Sequence, residues 1–250
     1  MILLVGNWKM APEKPALALE LAKKTAVIAR TYKKFLKVAV CPSFVHLAPV
    51  LKSAHAPLLV GAQSVSVEIE VPNTGLVSAT QLKGVGVDYC IVGHSESRER
   101  GETNEFVELQ VTRLIEKKIT PIVCIGERER DAQGWYLSVV KDQLDLLLSS
   151  VSKAAFKNIV IAYEPIWAIG KDAKREATPA ECREMVIYIR KLIRDVHGEK
   201  FAASMVILYG GSVNETNAKQ FVVEGTVQGL LVGRVSLDAK RFGMLAKSLQ

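Results

Sequence analysis

Glu164 stands between the apolar run at 159–163 and Pro165. The proline disfavours helix for the residue before it, so Glu164 is expected to be held extended at the tip of a strand. Ile166, Trp167 and Ile169 follow closely enough to shield it. Desolvation disfavours the charged form of a carboxylate, which suits Glu164 to act as a base. His94, one of only four histidines, marks the point where VDYCIVGHSESRER turns from apolar to charged. Asn7 and Lys9 follow the first apolar run, Gln63 the third, Glu96 and Glu127 the fourth and fifth, and Ser212 the seventh. Each also has a plain reading. Lys9 could be a surface lysine and His94 a core histidine bonded to backbone, while Glu96 and Glu127 read as ion-pair members and Gln63 as a partner for loop backbone.

A second chemistry is written in YGGSVNETN and LLVGRVSL, at 209–217 and 230–237. Gly210, Gly211 and Ser212 lie between a strand pattern and a helix start, and Gly233 and Arg234 follow the last apolar run. The backbone N–H groups of such turns converge on anions, so a phosphate site is expected at Ser212, Gly233 and Arg234. Ordinary glycine turns would explain either loop singly better than both together.

These residues need a frame that gathers them. Eight short apolar runs, at 2–6, 38–41, 58–62, 89–93, 121–126, 159–163, 205–209 and 230–233, lack the alternation of a half-wet strand and are bounded by Gly, Pro, Ser and Asn. They read as strands buried on both faces. Helical periodicity fills the spaces, in Leu137, Val140, Leu144, Leu147, Leu148 and Val151 and in Met185, Ile189, Leu192, Ile193 and Val196. Thr178, Pro179 and Glu181 supply an N-cap, an N1 proline and the acid of a capping box. Weaker stripes are Leu17, Leu21 and Ile28; Phe44, Leu47 and Leu51; Val107, Val111 and Leu114; and Phe242, Leu245 and Leu249. Eight alternating units in 250 residues predict one (β/α)8 barrel over 1–250, eight parallel strands surrounded by helices. An open doubly wound sheet would show a Gly-rich fingerprint after its first strand, where this chain has Gly6, Asn7, Trp8 and Lys9. In a barrel every strand's C-terminal end opens on one face, which would bring the polar residues together.

Composition narrows the partners. A net charge of +7 contains no long basic block, the Lys33, Lys34 and Lys37 group follows a helical face, and 6% aromatic residues are too scattered for base stacking. Nucleic acid is not expected. The opening MILLVGNWKM has too short an apolar run for a signal peptide or membrane span, so a cytoplasmic protein without a membrane partner is expected. Cys41, Cys90, Cys124 and Cys182 are too widely spaced for a metal cage and read as reduced, buried thiols.

NWKM (7–10), VGHSES (92–97), CIGE (124–127), AYEPIWAIG (162–170), YGGSV (209–213) and GLLVG (229–233) closely resemble the motifs of the triosephosphate isomerase family, in order and across essentially the whole chain. The resemblance implies a TIM barrel that interconverts dihydroxyacetone phosphate and glyceraldehyde 3-phosphate without metal or organic cofactor. It implies Glu164 as the base, His94 as a neutral imidazole donor, Lys9 as the balancing cation, Asn7 as a positioning residue and Glu96 as the brace of Lys9. The pairing of glutamate base and neutral histidine is the family's known one, carried over by resemblance. Pro165, Ile166, Trp167, Ala168, Ile169 and Gly170 would begin a lid over 165–177, with the Gly170 N–H meeting phosphate and Tyr209 receiving the closed form. The family also implies a homodimer.

Three departures stand out. The lid reads AIGKDAKREATP where the family usually has AIGTGKTATP, two residues longer and with Asp172 for the second glycine, which implies a working lid with an altered opening rate. Arg234 replaces a glycine, so it must keep a negative φ or point outward, and it would meet phosphate through backbone N–H. Leu76 and Ser97 stand where the family carries an interface glutamate and arginine. Losing both leaves no unpaired buried charge, so the dimer is expected to persist with Leu76 packed apolarly and Thr74 reaching the neighbour's site. Arg98 to Glu102 are expected to begin the solvated side of the next helix.

Overall fold

Strands β1 (Ile2–Asn7), β2 (Leu36–Cys41), β3 (Leu59–Ala62), β4 (Tyr89–Val92), β5 (Thr120–Ile125), β6 (Val160–Tyr163), β7 (Val206–Tyr209) and β8 (Gly229–Val232) fall on the eight apolar runs, their ends shifted by one or two residues. In the computed structural model, which describes residues 1–54, 56–68, 73–170, 173 and 175–250, they pair in parallel and in chain order. β8 returns to β1 to close the barrel, with Leu3 opposite Gly229 and Gly6 opposite Val232.

The missing alternation in the strands has a direct cause: both faces are buried, in two different layers. Leu3, Val5, Ala39, Ile91, Ile122, Cys124, Ala162 and Leu208 fill the barrel interior. Leu4, Val38, Val40, Val92, Val123, Ile161 and Ile207 pack outward against the helices. Each strand therefore separates two apolar regions, which is why no polar face was needed in its sequence. All four cysteines are buried free thiols.

The helices among the described residues are α1 (Pro15–Tyr32), α2 (Phe44–Ser53), α3 (Ala79–Val85), α4 (Ser95–Glu99), α5 (Asn104–Glu116), α6 (Trp135–Ser150), α7 (Lys153–Phe156), α8 (Pro179–His197), α9 (Glu199–Ser204), α10 (Ala218–Val223) and α11 (Ala239–Ser248). The capping box of α8 forms as expected, with Glu181 N–H donating to Thr178 Oγ1 at 3.2 Å and Thr178 N–H donating to Glu181 Oε2 at 2.8 Å. Helix α3 follows β3, and its seven residues are too few to establish a period; its signals are the Ser78–Gln81 capping box and the left-handed Gly86 that ends it. Leu17, Phe44 and Val196 are exposed although they continue apolar stripes. All three lie within the terminal turns of their helices, where the helix runs past the layer that covers it. Among the described residues no helix is long and apolar enough to cross a membrane.

Candidate active site

The C-terminal ends of the strands surround a cavity of about 270 Å³ lined by Asn7, Lys9, His94, Glu164, Gly170, Ser212, Gly233 and Arg234. The frame thus brings together residues up to 234 positions apart in the chain, from Asn7 to Arg241. Glu96 stands just behind, in a smaller cleft of about 100 Å³ shared with Asn7, Lys9 and His94.

Glu164 directly follows β6 and is only 3% exposed. Its backbone N–H donates to Ile125 O at 2.8 Å, continuing the β5 pairing one residue past the strand. Two glycines make room for it. A Cβ on Gly126 would stand 1.8 Å from Glu164 O, and one on Gly210 would stand 2.9 Å from Glu164 Cγ. The carboxylate accepts from the Ser95 N–H at 3.2 Å through Oε2, and Oε1 lies 3.3 Å from His94 Nε2.

His94 is the N-cap of α4, and its Nδ1 accepts the Glu96 N–H at 3.2 Å. A backbone donor aimed at Nδ1 requires a lone pair there, which leaves the ring's one proton on Nε2. This sets the His94 Nε2–H against Glu164 Oε1. The changeover at Gly93 places a hydrogen-bond donor beside Glu164.

Lys9 has a φ of 51°, in the left-handed region that lysine rarely adopts. Its backbone is tied on both sides: the N–H donates to Asn7 Oδ1 at 3.1 Å, and the carbonyl accepts from Gln63 Nε2 at 2.9 Å. Gln63 also reaches Cys41 O at 2.8 Å, so its loop-bonding role fixes Lys9. Local strain of this kind persists where the surroundings over-determine the backbone, which is common at functional sites. Lys9 Nζ donates to Glu96 Oε1 at 2.5 Å. Partial burial raises the Glu96 carboxyl, but the hydrogen bond and charge of Lys9 outweigh it and hold Glu96 below the usual carboxylate range.

Glu127 anchors the segment that follows Glu164. It is fully buried, and its Oε1 accepts from Trp167 Nε1 at 2.8 Å, Tyr163 OH at 2.9 Å and Arg130 Nε at 3.3 Å. Trp167 belongs to the 3-10 turn Ile166–Ala168. The turn is further tied by Ile166 N–H to Glu127 O at 2.9 Å and by Ser212 Oγ to Ala168 O at 3.3 Å. Gly170, at φ 84°, ends the described part of this arm. Lys171, Asp172 and Lys174 lie outside the described residues.

Arg234 opens the 3-10 turn Arg234–Leu237 and keeps out of the left-handed region, so the glycine replacement carries no φ strain. The cavity also takes Asn214, Glu176 and Arg241, residues not singled out by the sequence reading. Arg241 arrives from α11, gripped at both oxygens by Glu215 at 3.1 Å; nothing in its sequence neighbourhood signals that approach. Arg98 departs from expectation. α4 stops at Glu99, Gly101 turns left-handed and Thr103 caps a new helix. Half-buried, Arg98 donates to Gly93 O at 2.8 Å and Asn104 Oδ1 at 2.7 Å, a strut under the strand end instead of a solvated side chain. Among the described residues no group of His, Cys, Asp and Glu gathers as metal ligands would.

The chain whose barrel mouth gathers these residues matches the family model of triosephosphate isomerase over residues 2–249. The chain belongs to the triosephosphate isomerase family. Among its relatives, the triosephosphate isomerase of Alkaliphilus oremlandii is 40% identical over 245 residues, covering 96% of each chain. That of Treponema pallidum is 36% identical over 252 residues and 98% of each chain. That of Clostridium botulinum is 37% identical over 246 residues and 97% of each. The likeness to triosephosphate isomerases thus runs the full length, including every strand end that lines the cavity.

Proposed function

We propose that the chain interconverts dihydroxyacetone phosphate and glyceraldehyde 3-phosphate, the reaction of its family, with Glu164 as the base. Glu164 takes a proton from the carbon beside the carbonyl and returns it to the neighbouring carbon. His94 Nε2–H donates to the oxygens on which charge develops, and Lys9 offsets that charge. Asn7 helps to position the substrate, and Glu96 keeps Lys9 aimed. The phosphate is held by backbone N–H groups of Gly170, Ser212, Gly233 and Arg234. Pro165, Ile166, Trp167, Ala168, Ile169 and Gly170 form the first arm of a lid that excludes water and keeps the enediolate from losing phosphate.

One observation carries the reading: Glu164, 3% exposed, meets the His94 N–H at 3.3 Å on the wall of a cavity that also holds Lys9 and the two glycine-rich turns. The test is a coupled assay on glyceraldehyde 3-phosphate that consumes the dihydroxyacetone phosphate formed, with Glu164→Gln alongside. Folded but inactive wild type would overturn the activity; an equally active variant would overturn the base.

The reading extends to a single domain over 1–250 acting in the cytoplasm as a homodimer. Support for assembly comes from Leu76, 52% exposed, and Met10, 94% exposed, with Met10 rimming the cleft beside Lys9 and Ser97. Thr74 of a second copy would enter that cleft. Sedimentation showing a fully active monomer would refute it.

A further inference from the structure

Two arginines lie against the Trp167 indole. Arg130 places its guanidinium carbon 5.7 Å from the indole centre, and Arg175 places its own at 4.5 Å. Arg130 belongs to the loop after β5 and is tied to Glu184 of α8 at 2.9 Å. Arg175 comes from the stretch where this chain's lid is longer than the family's usual one. Its fork closes on Glu181, with Nη2 to Oε1 at 2.6 Å and Nη1 to Oε2 at 2.9 Å. Planar, two-point pairing of this kind fixes direction as well as distance.

Glu181 is itself anchored. Its Oε2 accepts from the Thr178 N–H at 2.8 Å and the Thr178 hydroxyl at 3.0 Å, so it caps α8 while holding Arg175. A continuous chain of contacts then runs from the fixed N-terminus of α8, through the Arg175 fork, to the face of Trp167 and on to Glu127. Ala177, two residues after Arg175, is buried, so the second arm is seated just beyond this contact.

We infer that Arg175 is a positioning residue for the lid, a clasp joining its first arm at Trp167 to the cap of α8. The inference deepens the lid reading given above and rests on it. The clasp acts on binding, because it sets where the first arm lies before Gly170 meets phosphate, and it touches none of the reacting carbons. Its loss leaves the first arm less ordered, so that phosphate binding must order it, which raises KM and leaves kcat nearly unchanged.

Arg175→Ala is expected to raise KM for glyceraldehyde 3-phosphate about three- to tenfold, the range of a partly exposed cation–π contact with its ion pair. kcat should stay within about twofold. Arg175→Lys keeps the charge without the planar fork and should fall between. The second readout needs no turnover: in a Trp135→Phe background Trp167 is left with the fully buried Trp8, and Arg175→Ala should shift the Trp167 emission as the indole loses its cover. An unchanged KM with unchanged emission overturns the clasp, as does a fall in melting temperature with both readouts unmoved. Wild type inactive on triose phosphates would defeat the functional reading, while the emission shift would still decide the Arg175–Trp167 contact.

Discussion

Gly210→Ala tests how finely Glu164, the proposed base, is placed. The new Cβ would stand 2.9 Å from Glu164 Cγ, against the 3.4 Å at which ordinary contact begins, so something must yield by half an ångström. The Gly210 backbone is poorly placed to yield, since its N–H donates to Tyr163 O at 2.8 Å. Glu164 must therefore move, and with it the oxygens now set against Ser95 N–H and His94 Nε2. Misplacing a reacting group by an ångström costs about a hundredfold, so half that shift should lower kcat about tenfold, or about 1.4 kcal/mol in the barrier. KM should change by less than about twofold, because the displaced group acts mainly in the transition state. Steady-state kinetics in the coupled assay, with a melting curve to confirm folding, measure both. A kcat within about twofold of wild type would show that the carboxylate tolerates the push; a loss confined to KM would show that the glycine serves phosphate instead.

Two further outcomes follow from the struts around the site. Arg98→Met leaves Gly93 O and Asn104 Oδ1 without their donor and should cost about 2–3 kcal/mol in a urea titration; a loss under about 0.5 kcal/mol would remove its strut role. Glu181 is held by the Arg175 hydrogen bond at a pKa of about 2, below its ordinary 4.5. Because the unfolded chain takes up this proton first, its stabilisation is present above pH 4.5 and lost as the pH falls towards 2. Melting temperatures should drop more steeply over that window in wild type than in Glu181→Gln; parallel curves would contradict the pairing.

The strands were legible because burial on both faces leaves an uninterrupted apolar run, and eight such runs between helices allow few other closures. Helix α3 was not, since a period cannot show in seven residues. Glu164 could be read from its own neighbours, a strand before it and a proline after. The Ser95 N–H that holds it, 69 residues away, could not, nor could Arg241, whose approach to the cavity is set by packing of α11. The passage after His94 misled for a related reason: its charges look solvated until Gly101 breaks the helix and turns Arg98 underneath β4.

The end of β5 serves two masters. Gly126 leaves space for the backbone of Glu164, while the next residue, Glu127, carries the indole of Trp167 and the amide of Ile166. The proposed base and the first arm of the proposed lid are thus mounted on adjacent positions of one bracket, so a substitution at Gly126 or Glu127 is expected to disturb both.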